Sequence, residues 1–260
     1  MKQVVLGGLL ALLLWSGLTA PVAAVDNAQL QAINQSWSKS AHALAEVNCS
    51  SCHQPQSAKQ VIQQPTYESC RSCHEGQVDT FLLGKHGIRL LEGQPALTPA
   101  LAHLPMQAAV HDKQMNCNAC HDAHSVKTLP ASVDSCLTCH KDNHSLNYKN
   151  SRHAQLLQEE GVLPRPSTVS TTCATCHLPR QTSESGTVMV NHNNTYTLLP
   201  RDRMVKEVCM NCHGMEFAYN SMFDDDLVES NFARPPTLSL DTLKMVRTLE
   251  TQRSGNATSK

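Results

Sequence analysis

The stretch that decides the fold is Asn48-Cys-Ser-Ser-Cys-His-Gln-Pro-Gln56. Two cysteines separated by two residues suit several chemistries: a zinc knuckle, a redox dithiol or the covalent tether of a cofactor. One copy leaves these open. Five further copies follow: Cys70-Arg-Ser-Cys73-His74, Cys117-Asn-Ala-Cys120-His121, Cys136-Leu-Thr-Cys139-His140, Cys173-Ala-Thr-Cys176-His177 and Cys209-Met-Asn-Cys212-His213. All twelve cysteines are consumed, and every second one is followed directly by histidine. Neither a disulfide framework nor a zinc ribbon requires that histidine.

Cys-x-x-Cys-His is the attachment signature of c-type haem. Thiols three residues apart on one helical turn match the positions of the two haem vinyl groups, and the adjacent imidazole then points at the iron. The expectation is six covalently attached haem c groups. Their thioether bonds would come from Cys49 and Cys52, Cys70 and Cys73, Cys117 and Cys120, Cys136 and Cys139, Cys173 and Cys176, and Cys209 and Cys212. The proximal ligands would be His53, His74, His121, His140, His177 and His213.

Composition agrees with that reading. Aromatic residues make up only 4% of the 260 residues, and hydrophobic residues 40%. Macrocycles would supply the apolar bulk that the side chains lack. The expected fold is mainly α with extensive loops and little β, organised around stacked haems, and the apoprotein is expected to be unfolded. A formal charge of −1 provides no basic surface, so no nucleic-acid partner is expected.

The first residues carry Lys2, an apolar run from Val4 to Leu14 and small residues at Val22 and Ala24. This is the pattern of a signal peptide over 1–24, with an uncleaved anchor as the alternative. No later stretch approaches the ~20 apolar residues of a membrane span. The mature chain is expected to be exported, in the periplasm or beyond, where c-type haem is attached in bacteria. Residues 25–223 would form the haem domain. Residues 224–260 would be a tail with one helix, whose Leu240, Leu243, Val246 and Leu249 approximate one face, and a disordered end from Ser254. Docking on the haem core is the plain reading of that helix; a partner or oligomer contact is the alternative.

Eight histidines remain beyond the six motifs. His42, His86 and His153 each follow a small and a basic residue and precede an apolar helical pattern, which predicts similar amphipathic helices. His124 and His144 lie three and four residues beyond attachment histidines, too close to reach the same iron but suited to a neighbouring one. His192 falls in a polar loop. These six are the candidate distal ligands; His103 and His111 follow no pattern and are the candidate non-ligands. Met106, Met115, Met204, Met210 and Met215 lie near motifs, but histidine is in surplus.

The run from Asp134 through His144, Tyr148, His153, Cys173 to His177, His192 and Cys209 to Phe217 resembles the hydroxylamine oxidoreductase and octahaem cytochrome group. The resemblance implies haems in close parallel and perpendicular pairs, a periplasmic location and electron transfer near nitrogen compounds. The sequence departs from that group in having six motifs rather than eight, no Cys-x-x-Cys-Lys, and Tyr219 as the only tyrosine beyond the last motif. Two functions follow. One is electron transfer between redox proteins, such as other cytochromes, quinol-linked donors or a terminal reductase in anaerobic respiration. The other is an oxidoreductase acting on a small nitrogen or sulfur oxide at one five-coordinate haem, with His111 and Asp112, or Asp142 and His144, as candidate proton donors.

Overall fold

The structure is a computed structural model and describes residues 25–54, 60–160, 171–183 and 185–257. Residues 1–24, expected as a signal peptide, lie outside the described part, as do 55–59, 161–170, 184 and 258–260.

The chain folds as a succession of short helices. They are α1 (Asn27–Trp37), α2 (Ala41–Leu44), α3 (Cys49–His53), α4 (Tyr67–Arg71), α5 (Glu75–Leu83) and α6 (Ile88–Leu91), followed by α7 (Cys117–Cys120), α8 (Thr128–Ser132), α9 (Asp134–Cys139), α10 (Asn143–Asn147), α11 (Arg152–Glu160) and α12 (Cys173–His177). A two-stranded hairpin, β1 (Arg180–Thr182) with β2 (Val188–Val190), pairs Gln181 with Met189. Then come α13 (Asn194–Leu198), α14 (Arg201–Glu207), α15 (Met215–Met222), α16 (Asp225–Glu229) and α17 (Asp241–Ala257). The fold is mainly α with extensive loops, as expected.

Most of these helices are one or two turns long, and isolated helices of that length are unstable in water. They persist through side-chain caps and tertiary contacts. Asn48, Thr172 and Asp142 accept hydrogen bonds from the backbone N–H groups of Ser51, Thr175 and Ser145, closing the first turns of α3, α12 and α10. Two small clusters form the side-chain core. Met204, Val205, Ala218 and Met222 join α14 to α15, with Cys176, Cys209 and Phe232 packed at the margin. Val133, Tyr148 and Ala154 form the second, beside Leu137, Leu157 and Cys173. Both clusters therefore lie against cysteines of the Cys-x-x-Cys-His motifs.

Two expectations need correction. His86 is not on a helix: it sits in the turn between α5 and α6, where Gly87 N–H bonds Gly84 C=O at 3.0 Å. The tail holds two helices rather than one, and α17 includes Ser254–Ala257, part of the stretch expected to be disordered. Nor does α17 bury its apolar side chains. Met245, Val246 and Leu249 are exposed, and the helix is tethered instead by Leu240 N–H to Asn220 Oδ1 at 2.9 Å and by Arg247 to Glu216 at 2.5 Å. Among the described residues, no helix is long and apolar enough to cross a membrane.

Candidate functional site

Each Cys-x-x-Cys-His motif folds as a single tight turn. The histidine N–H bonds the carbonyl of the first cysteine at 2.9 Å from His74 to Cys70, 2.9 Å from His121 to Cys117, 2.8 Å from His140 to Cys136 and 2.9 Å from His213 to Cys209. That turn puts the two thiols and the imidazole on one side of the chain, because residues three and four apart share a helical face. All twelve thiols are free of disulfides. Among the described residues, no three His, Cys, Asp or Glu side chains converge as a zinc site would require.

The remaining histidines are brought in from distant segments. His124 faces His53 with ring centres 6.3 Å apart, and His42 faces His74 at 6.0 Å. His192 faces His121 at 6.3 Å, and His86 faces His140 at 6.3 Å. His144 faces His177 at 6.0 Å, and His153 faces His213 at 6.2 Å. Every motif histidine has one such partner, and no histidine is used in two of these six pairs. His103 and His111 belong to none of them.

Backbone and neighbours orient these rings. His144 Nδ1 lies 2.6 Å from the Val228 carbonyl, His53 Nδ1 2.7 Å from that of Ile62, and His192 Nδ1 3.1 Å from that of Val190. A carbonyl oxygen only accepts, so the proton sits on Nδ1 and Nε2 presents its lone pair, as a metal-binding histidine requires. The loop carrying His192 is fastened to α5: its N–H bonds Thr80 Oγ1 at 3.1 Å, and Asn194 Oδ1 takes the Lys85 N–H at 2.9 Å. Burial, helped by the neighbouring His140 and Lys85, pushes His86 down to about 4. Burial, with His144 beside it, does the same for His177. His121, His153 and His192 are lowered too, burial being the main cause. Neutral imidazoles are the ligating form.

The cysteines of successive motifs lie near one another. The Cys117 thiol donates to Cys70, which pulls Cys70 down to about 7 and raises Cys117. Cys136 and Cys173 make the equivalent contact, lowering Cys173. Cys52 lies within the electrostatic reach of Cys70 and Cys73, Cys120 within that of Cys136 and Cys139, and Cys176 within that of Cys209 and Cys212. Burial is the main cause that pushes Cys120 up to about 11 and Cys176 up to about 12. Lys113, whose Nζ donates to the Ala119 carbonyl at 2.8 Å, offsets part of the rise at Cys120.

The expected proton donors fall elsewhere. His111 and Asp112 form a 3.6 Å pair, but both are largely exposed. Asp142 caps α10 through Ser145 and faces His140 at 3.7 Å rather than pairing with His144. Tyr148 is buried, and its hydroxyl donates to the Thr171 carbonyl at 2.8 Å. Spacing did not reveal Asn194, Thr80 or Phe232, because their roles depend on segments meeting across the fold.

Repeated thiol turns, each with two facing imidazoles, define a multihaem c-type cytochrome, a class that transfers electrons. Residues 42–223 match the family model described as outer membrane cytochrome MtrC/MtrF-like, domains II/IV, and the chain belongs to that family. This family differs from the hydroxylamine oxidoreductase group that Asp134 to Phe217 resembles, so the membership supports the broader cytochrome class. No curated protein matches the chain.

Proposed function

We propose that this chain is an exported electron-transfer cytochrome carrying six haem c groups, each iron bound by two histidines. One observation carries the reading: the six histidine pairs, with ring centres 6.0 to 6.3 Å apart. Two imidazoles on opposite sides of one iron, with metal–nitrogen bonds of about 2 Å and about 1.1 Å from each nitrogen to its ring centre, would have centres about 6.2 Å apart. The donor set therefore fits the group. Bound haem supplies one-electron chemistry, with iron alternating between ferric and ferrous states.

In this reading His124, His42, His192, His86, His144 and His153 are the distal ligands for the first to sixth motifs in that order. Two imidazoles at each site leave no position for a substrate, which favours transfer over catalysis. The neighbouring thiols of consecutive motifs support an arrangement in chain order, so that an electron arriving at either end passes from one site to the next. The family description supports location at or beyond the outer membrane, and the pattern of residues 1–24 supports export. Redox proteins are the partners that this chemistry serves.

The test is spectroscopic. Haem quantitation on the purified ferric holoprotein should give six per chain, and its EPR spectrum should be low-spin throughout. Adding cyanide, nitrite or hydroxylamine should change neither the EPR nor the optical spectrum. A high-spin ferric signal that responds to one of these ligands would instead establish an open iron and overturn the reading.

A further inference from the structure

The segment after α16 places two consecutive non-glycine residues, Asn231 and Phe232, in the left-handed region. Helix α16 closes with Asn231 N–H bonded to Val228 C=O at 3.0 Å and Phe232 N–H bonded to Leu227 C=O at 2.8 Å. This double closure requires a left-handed residue after the cap, and Asn231, at φ +53°, is well suited to it. Phe232 is also left-handed, at φ +58°. The closure does not call for that second residue, and a bulky side chain adopts the conformation only when its surroundings impose it.

The surroundings are two of the histidine pairs. The Phe232 ring stands edge-on to His144, with centres 6.2 to 6.3 Å away for both imidazoles it meets: 6.3 Å and 88° for His144, 6.2 Å and 65° for His153. It also packs on the cluster of Met204, Val205, Ala218 and Met222, against which Cys176 of the fifth motif and Cys209 of the sixth lie as well. The turn is locked to α10, since Asn231 Nδ2 donates to the His144 carbonyl at 2.9 Å and Asn147 Nδ2 to the Glu229 carbonyl at 3.1 Å. The Val228 carbonyl of the same turn accepts from His144 Nδ1. Among the described residues, no other aromatic side chain contacts histidines from two of the pairs.

We propose that Phe232 is a positioning residue for the fifth and sixth iron sites: its ring sets the relative orientation of the His144 and His153 imidazoles and keeps water from the space between them. The inference rests on the two-histidine reading of those sites. A ferric site carries one more positive charge than a ferrous one, so water admitted beside it favours the ferric form and lowers the reduction potential. Imidazole orientation is read independently through the low-spin EPR g-values.

The experiment compares wild type, Phe232→Ala and Phe232→Leu as purified holoproteins, by haem quantitation, EPR and potentiometric titration. Wild-type spectra test the six-site reading by themselves; the difference between variant and wild type tests Phe232. In Phe232→Ala, two of the six reduction steps should move to lower potential and two low-spin signals should change, with four untouched. Phe232→Leu keeps apolar bulk but loses the flat edge, so its potentials should stay near wild type while the same two signals change. Superimposable titrations and spectra in all three proteins would overturn the proposal, as would an equal shift of all six steps. If Phe232→Ala fails to mature, an unchanged Phe232→Leu EPR spectrum overturns it alone.

Discussion

At the scale of single residues, the turn Gly84-Lys85-His86-Gly87 shows how tightly one imidazole is placed. A Cβ on Gly84 would lie 2.8 Å from the His192 carbonyl oxygen and 2.9 Å from Asn194 Oδ1. A Cβ on Gly87 would strike the Phe81 carbonyl. Both glycines are there for close approach, since neither needs a left-handed backbone. The loop bearing His192 can lie against α5 only because Gly84 has no side chain. Gly84→Ala should therefore displace that loop and cost about 1–3 kcal/mol, the usual penalty for overpacking. Denaturant unfolding should report the loss, and EPR should show one altered low-spin signal, from the His121–His192 pair. A variant with wild-type stability and spectrum would show that the loop yields freely.

At the scale of elements, the caps and clamps of the C-terminal third matter most. Asp224 is buried and caps α16 through the Leu227 N–H at 3.0 Å. It also accepts from Arg234 Nη1 at 3.0 Å and Nη2 at 3.2 Å, and from the Thr237 N–H at 3.2 Å. The Arg234 guanidinium, aided by the backbone donors, holds this carboxyl well below the usual carboxylate range. With the folded value depressed, its contribution to stability is complete above the unfolded value of about 4 and is lost as pH falls through the lower folded value. The path into α17 should thus stay protected from limited proteolysis down to about pH 4 and open only below it. Asp224→Asn should be cut there at neutral pH. Opening of the wild-type segment near pH 6 would contradict this account.

At the scale of the whole molecule, the polypeptide has little side-chain core of its own. Thirteen apolar side chains are buried among the described residues, and the two clusters they form contain seven of them. Ordering each residue costs about 1–2 kcal/mol of backbone entropy, which so small a core cannot offset. Chain produced without haem attachment should lack a cooperative urea transition and most of its helical circular dichroism. A folded, cooperative apoprotein would show that the side chains suffice.

The sequence by itself determined the six Cys-x-x-Cys-His motifs, which consume all twelve cysteines, and the mainly helical, loop-rich class. A covalent tether depends on spacing along a single turn, and spacing is visible in the chain. It also singled out the six histidines that face those motifs, through their surplus and local patterns. It misplaced His86 on a helix because a basic residue before an apolar run resembles a helix start, whereas the flanking glycines make a turn. Only the tertiary structure decided which histidine faces which motif, that α17 leaves Met245, Val246 and Leu249 exposed, and that Phe232 meets histidines of two pairs. These features arise where separate short helices and loops meet, and no local spacing encodes such contacts.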